Sequence, residues 1–118
     1  MGNLRAVSAK WQRGRPLVKQ ILIFWRDIPS QVVVQRGRKR EKVQLSARFQ
    51  EAIDRAAMRA GKGGSDAYLS EWRRESSQVQ SDADLMEIAK QVAGRFEAEI
   101  SDAELQALVK NHGKASEQ

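Results

Sequence analysis

The chain has 118 residues, of which 41% are hydrophobic, 31% are charged and none is cysteine. This length suits one domain with a single modest core. The lack of cysteine excludes a disulfide framework, a thiolate metal site and a cysteine nucleophile. No apolar run approaches the roughly 18 residues of a membrane span, and the N-terminal stretch lacks the continuous apolar core of a secretory signal. We therefore expect a cytoplasmic protein that does not enter a membrane.

The formal net charge of +6 is unevenly distributed along the chain. Residues 1–40 hold ten Lys and Arg against Asp27 alone, whereas residues 76–118 hold four against eight acidic residues. A basic front and an acidic rear can steer a protein towards nucleic acid, anionic lipid or an acidic protein. An ordinary solvated surface explains the same excess, so charge alone does not choose a partner.

The two ends of the chain differ in composition from the part between them. Residues 1–19 contain Gly14 and Pro16 and show no sustained hydrophobic period, which predicts a disordered basic arm. Residues 113–118 are expected to be a polar tail. A single domain over residues 20–112 is the predicted organisation.

Two strands are predicted early in this domain. Residues 20–25 are rich in β-branched and aromatic side chains and too few for a helix of normal length. Pro29 fixes its own φ and keeps Ile28 out of the helical region, so Ile28–Ser30 is expected to turn the chain. The second strand is then expected over residues 31–35.

A third strand is predicted over residues 40–45. Gly37 can adopt a positive φ in a tight hairpin before it. The strand itself alternates strictly, with Arg40, Lys42 and Gln44 on one face. The three strands together predict an antiparallel meander with a half-exposed third strand.

Everything after Ser46 has a helical pattern. Ser46 is expected to cap the first helix, and Gly61 to end it. The signature Ser-Asp-Ala then occurs three times, in SDAYL, SDADL and SDAEL, and each time places an N-capping serine and an acidic residue at a helix start. Four helices are therefore predicted, at residues 47–60, 66–76, 82–99 and 102–111. The fold class is α+β, a three-stranded antiparallel meander followed by about four helices on one of its faces.

The expected core follows the apolar stripes of these elements. The register of strand two stays open by one residue, because three consecutive valines hide its parity. The predicted core residues are Ile23, Val33, Val43, Phe49, Ile53, Leu69, Leu85, Ile88 and Val92.

The chemistry-bearing residues do not form a catalytic pattern. His112 is the single histidine and lies at an expected helix end. Gly61–Gly64 follows a helix rather than a strand and lacks the spacing of a phosphate-binding loop. The acidic residues are mostly explained by helix N-termini. With neither a nucleophile and base pair nor a metal set in view, we predict a non-enzymatic protein without metal or cofactor.

Three segments carry a resemblance to a known family: FWRDIPSQVVVQRGR, VQLSARFQEAIDRAAMRAG and DAYLSEWRR. They resemble the small bacterial family labelled "virulence factor", related to the C-terminal module of conserved virulence factor C, over about residues 20–112. The resemblance implies an association with virulence and brings no catalytic residues with it. Some relatives join this module to a scaffold domain like those of iron–sulfur assembly proteins, which implies an adaptor role.

The first functional hypothesis is a protein-interaction module. The connection after the first strand contains Trp25, Arg26, Asp27 and Pro29, with Arg48 expected nearby. Exposed aromatic and arginine side chains are the types that anchor interfaces. The alternative is that Trp25 packs in the core and that the Arg26–Asp27 pair only fixes the turn. The protein partner itself is not identified by the sequence.

The second hypothesis is a nucleic-acid-binding module. Residues 38–74 resemble the ribbon-helix-helix pattern, in which a strand precedes two helices and pairs with a second subunit to read the major groove. Arg40, Lys42 and Gln44 on the strand at residues 40–45 then face the bases. The two preceding strands count against this arrangement, because they occupy an edge that dimer pairing requires.

Overall fold

The computed structural model describes residues 16–115. Most of the predicted arm, residues 1–15, lies outside the described residues, as do residues 116–118 of the predicted tail. The described elements are β1 (Leu17–Trp25), β2 (Ile28–Arg36), β3 (Lys39–Gln44), α1 (Ala47–Arg59), α2 (Ser65–Leu69), β4 (Trp72–Gln80), α3 (Leu85–Glu99) and α4 (Asp102–Lys110).

The strands form one antiparallel sheet in the order β3-β2-β1-β4. The predicted α+β class is confirmed, and the first three strands pair as neighbours in a meander. The prediction of three strands is wrong, because β4 adds a fourth along the free side of β1. The sheet therefore has β3 and β4 as its two edges.

The fourth strand replaces the second half of a predicted helix at residues 66–76. The SDAYL signature does form a helix, but α2 is only five residues long. The chain then pairs with β1 from Trp72 opposite Trp25 to Gln80 opposite Leu17. Backbone pairing with an apolar central strand outweighs local helix propensity here. The strand pattern is faint in the sequence because most of β4 is exposed.

The predicted turn is misplaced by two residues. The chain reverses at Arg26 and Asp27, and Arg26 has a φ of 53°. Pro29 lies inside β2, at a bulge where the register shifts between Ile23 and Phe24 of β1. Bulges tolerate proline because the ladder is already interrupted there. The first strand also begins earlier than predicted, at Leu17, so residues 17–19 belong to the sheet.

The helix ends agree with the serine signals in part. Ser46 is the N-cap residue of α1, although its side chain makes no capping hydrogen bond. Ser101 forms the predicted capping box with Glu104. Asp84, rather than Ser81, caps α3, which therefore begins three residues later than predicted.

The main core lies between the helices and one face of the sheet. Val32 and Val34 of β2 join it with residues of α1, α3 and α4, whereas Val33 points to the opposite face. Of the predicted core, Phe49, Ile53, Leu85, Ile88 and Val92 are buried in this cluster, with Val43 packed against it. Two predictions are wrong: Ile23 is only half-buried and Leu69 is 62% exposed. Within the described part of the chain, no helix is long and apolar enough to span a membrane.

Candidate functional site

The first candidate surface is the hairpin end where β1 runs into β2, residues 25–29, which we call the corner. Trp25 is fully buried, and its indole Nε1 donates a hydrogen bond to the Tyr68 carbonyl at 2.9 Å. The two rings stack with centroids 5.9 Å apart. Gly113 approaches the same indole so closely that an added Cβ meets a ring carbon at 2.9 Å. Trp25 is thus a packing residue of the corner.

Arg26 is held by two parts of the chain that are distant in sequence. Its Nε donates to Glu71 Oε1 at 3.1 Å, and its Nη1 donates to the His112 carbonyl at 2.9 Å. Its backbone N–H donates to the Glu71 carbonyl. The side chain is only 11% exposed. Arg26 therefore joins the hairpin to the segment before β4 and to the segment after α4.

Asp27 makes a second set of links at the corner. Its backbone N–H donates to the Gly113 carbonyl at 2.8 Å, and its carboxylate accepts from the Ala115 N–H at 2.6 Å and from Arg73 at 3.1 Å. Arg73 also donates to the Arg26 carbonyl at 2.7 Å. Residues 113–115 of the predicted polar tail are thus part of the folded domain, and Gly113 is buried.

These contacts stabilise the ionised forms of the groups involved. The hydrogen bond from Arg26 lowers the pKa of Glu71 below its ordinary value, with a further contribution from Lys62. A hydrogen bond to Glu75, helped by Asp27, raises the pKa of Arg73. The charged side chains of the corner are therefore largely satisfied by one another.

Arg48 was expected near the corner, but it lies beside Glu97 and Asp102. Its guanidinium bonds Asp102 Oδ1 at 2.9 Å and the Glu97 carbonyl at 2.9 Å, and it lies 4.6 Å from the Phe49 ring centroid. Burial opposes ionisation of Glu97, but hydrogen bonds from Ser46 and Arg48 outweigh it and lower the pKa of Glu97. Arg48 thus connects α1 with the end of α3 and the start of α4.

A depression of about 510 Å³ lies beside the corner. It is lined by the accessible parts of Arg26 and Asp27 together with Glu71, Asn111, Lys114 and Ala115. Asn111, Lys114 and Ala115 are exposed. This depression is the part of the corner that a partner can reach without displacing Trp25.

The second candidate surface is the side of the sheet that faces away from the helices, which we call the open face. The strand registers place its side chains in three cross-strand rows of four. In the order β3, β2, β1 and β4, the rows are Arg40-Gln35-Lys19-Gln78, then Lys42-Val33-Ile21-Ser76, then Gln44-Gln31-Ile23-Arg74.

All the charged side chains in the three rows of the open face are positive. The three rows contain four cations, Lys19, Arg40, Lys42 and Arg74, and no carboxylate, and all four cations are exposed. The acidic residues of the edge strands, Glu41 and Glu75, pair opposite Val34 and Leu22 and so point to the other side of the sheet. The open face is therefore a basic surface about four strands wide.

The uncharged residues of the open face are amides, aliphatic side chains and one hydroxyl, that of Ser76. Ile21 and Val33 lie in the middle, only 6% and 1% exposed, and neither belongs to the core cluster that the helices share. Around them are four glutamines, Gln31, Gln35, Gln44 and Gln78. Amide side chains both donate and accept hydrogen bonds, so the face offers neutral polar contacts between its cations.

Part of the open face was predictable from the sequence. The alternation in β3 places Arg40, Lys42 and Gln44 on one face, as the structure shows. Lys19 lies in the predicted arm, and Arg74 in a predicted helix, so neither was expected there. Only the pairing of β1 with β2 and β4 brings both next to the β3 cations.

Comparison with protein families gives a match over most of the chain. A sequence model of the family described as "Virulence factor" matches residues 23–109 of the chain. The chain belongs to the virulence factor family. The matched part begins near the end of β1 and ends in α4, so it includes the corner and most of the open face. Comparisons with curated proteins and with solved structures gave no match.

The virulence factor family match brings no catalytic or ligand residues to this domain. Among residues 16–115, no group of three or more His, Asp or Glu is arranged to hold a metal ion. The two surfaces described above are therefore the candidates for function in this virulence-factor-family domain.

Proposed function

We propose that this virulence-factor-family domain is a non-enzymatic accessory module that binds single-stranded nucleic acid on its open face. The observation that carries the proposal is the open face itself, with four exposed cations and no carboxylate. A cytoplasmic location, expected from the sequence, is part of the same proposal. No reaction is proposed for either surface.

The shape of the sheet favours a single strand over a duplex. Neighbouring strands lie ~4.8 Å apart, so four strands span about 14 Å between their backbones. The major groove of B-DNA is only about 12 Å wide and admits a helix or a two-stranded ribbon. A four-stranded surface instead resembles the platforms on which single strands lie flat.

The ribbon-helix-helix arrangement itself does not agree with the fold. β3 is hydrogen-bonded to β2 from Gln31 opposite Gln44 to Arg36 opposite Lys39, so it is part of a four-stranded sheet and has only its outer edge free for a second subunit. The second helix of that pattern is replaced by the five-residue α2 and by β4. The proposal for nucleic acid therefore rests on the whole open face and no longer on residues 40–45 alone.

Each class of side chain on the open face has a distinct role in this proposal. Lys19, Arg40, Lys42 and Arg74 contact phosphates, which makes binding strongly dependent on salt. Gln44 and Gln78 hydrogen-bond sugars, the amide of Gln35 is already bonded to the Gly37 carbonyl, and Ile21 and Val33 form an apolar floor. Without an aromatic residue in the middle of the face, we expect most of the affinity to be electrostatic and largely independent of sequence.

The test measures fluorescence anisotropy of a labelled single-stranded oligonucleotide at several salt concentrations. We expect Lys42→Glu and Arg40→Glu each to weaken binding about tenfold, since each reverses one charge among a few phosphate contacts. The matched control is Lys90→Glu, an exposed lysine on α3 at the helix side of the sheet. Equal losses for the control, or binding that is independent of salt, contradict the proposal.

A second candidate, a protein-interaction module at the corner, is favoured by the depression beside Asp27 and Glu71. Lys114 is exposed and lines that depression, so Lys114→Glu changes its charge without removing a contact of Arg26. We expect this variant to lose the captured partner in a pull-down while keeping wild-type stability. Capture that is unaffected by Lys114→Glu but lost with Lys42→Glu places the partner on the open face instead.

A further inference from the structure

One end of the open face contains a small depression built from side chains of β1, β2 and β4. It has a volume of about 280 Å³ and is lined by Ile23, Gln31, Trp72, Arg73 and Arg74. Pockets for small ligands begin at about 300 Å³, so the depression suits a single planar group. It lies on the row Gln44-Gln31-Ile23-Arg74, next to the two basic rows.

The amide of Gln31 is the first sign of a ligand at this place. Its Oε1 is buried and accepts no hydrogen bond from any residue between 16 and 115. A buried acceptor without a donor costs about 1–3 kcal/mol. Rotation of the amide at the rim of the depression can turn this oxygen towards a donor that enters it.

Trp72 supplies an aromatic surface to the same depression. Its ring is half-buried and stands perpendicular to that of Tyr68, with an interplanar angle of 86° and centroids 5.8 Å apart. In a perpendicular pair, Tyr68 can cover at most one face of the Trp72 ring. An aromatic ring that lines a depression beside an aliphatic residue, Ile23, is suited to stacking a planar ligand.

Arg73 and Arg74, which both line the depression, differ in whether their charge is already paired. Arg73 is paired with Asp27 and Glu75, so its charge is already compensated. Arg74 is exposed and makes no ion pair within the described residues. Arg74 can therefore bind a phosphate at the mouth of the depression.

We propose that this depression, which we call the Trp72 pocket, holds one unstacked nucleobase of the single strand. Trp72 stacks on the base, Gln31 accepts a hydrogen bond from its edge and Arg74 contacts the adjoining phosphate. Stacking of a base on an aromatic side chain is worth about 1–3 kcal/mol. The inference rests on the proposed function, because the cations of the open face bring the strand to the pocket.

The experiment compares two labelled DNA decamers of equal charge, one with bases and one abasic, by fluorescence anisotropy. We expect the decamer with bases to bind about tenfold more tightly, in line with one stacked base. Gln31→Leu reduces this ratio several-fold and leaves the affinity for the abasic decamer unchanged. The matched control is Gln35→Leu, a glutamine on the same strand and face whose amide instead donates to the Gly37 carbonyl.

The outcomes separate the two proposals. If both decamers bind equally well, the pocket is overturned and phosphate binding by the open face stands. If neither decamer binds, both proposals are overturned. If Gln31→Leu and Gln35→Leu reduce the ratio equally, Gln31 has no special role and the pocket is overturned. The comparison of the two decamers on the wild-type protein needs no variant, so it tests the pocket even if Gln31→Leu does not fold.

Discussion

Two neighbouring arginines of β4 show how differently the corner and the open face use charge. Arg73 points to the helix side, where it bonds Asp27 and the Arg26 carbonyl and lies 4.4 Å from the Phe24 ring centroid. Arg74 points to the open face and is exposed. The same side chain thus stabilises the fold at one position and is available to a ligand at the next. Strand alternation is what separates the two roles.

The corner and the open face therefore predict opposite responses to substitution. At the corner, charged residues link three parts of the chain, so substitutions there are expected to change the free energy of unfolding. On the open face, the cations form no ion pair with any residue between 16 and 115, so substitutions there are expected to change binding alone.

The largest expected effect is that of Gly113→Ala at the corner. Gly113 has a φ of 88°, and its added Cβ meets Trp25 at 2.9 Å. Backbone strain and overpacking are each worth ~1–3 kcal/mol, so we expect a loss of about 2–4 kcal/mol in urea denaturation. The control is Gly37→Ala, which also has a positive φ but no atom within 4 Å of its Cβ. Equal losses for the two variants show that Gly113 does not pack against Trp25.

The next effect is that of Arg26→Ala. Arg26 is 11% exposed and bonds both Glu71 and the His112 carbonyl. Hydrogen bonds to charged groups contribute about 1.5–3 kcal/mol, and partial exposure of Glu71 reduces this, so we expect a loss of about 1–2 kcal/mol. The control, Arg74→Ala, is expected to stay within about 0.5 kcal/mol of wild type. If Arg26→Ala leaves stability unchanged, the corner does not hold the fold.

A smaller effect is expected from acid. Because the pKa of Glu71 is lowered from 4.5 by Arg26, the ionised carboxylate stabilises the fold above that pH. This stabilisation is lost as the pH falls below about 4.5 and Glu71 takes up a proton in the folded state. The ionised Glu71 contributes less than about 1 kcal/mol to the free energy of unfolding, because the pair is partly exposed. Glu71→Gln removes this contribution. The stability of the variant should therefore fall less than that of the wild type between pH 6 and pH 3.

Urea denaturation at a series of pH values measures this difference. The control is Glu99→Gln, an exposed residue near the end of α3 that forms no ion pair within residues 16–115. A profile of Glu71→Gln that is parallel to that of wild type contradicts the role assigned to the Arg26–Glu71 pair.

The elements with strong local signals were predictable from the sequence. The alternation in residues 40–45 predicts β3 and the shared face of Arg40 and Lys42, and the capping box predicts the start of α4. The family itself was also predicted correctly, from three sequence segments. The proposed relation to the C-terminal module of conserved virulence factor C stays a prediction.

The features that depend on strand pairing were not predictable in the same way. Residues 72–80 follow a helical signal and are polar on both sides, so nothing local indicates a strand. Pro29 suggests a turn, yet the bulge accommodates it within β2 and the chain reverses at Arg26 instead. The open face needs all of these registers at once, which is why only its β3 residues could be predicted.

The most direct test of the central claim is a titration of the ¹⁵N-labelled protein with a single-stranded oligonucleotide, followed by amide chemical shifts. We predict that the largest changes occur on the strands of the open face, at Lys19, Val33, Lys42 and Ser76, and that amides of the corner and of α4 change little. Changes confined to the corner or to the helices, or no changes at low salt, contradict the claim that the open face binds nucleic acid.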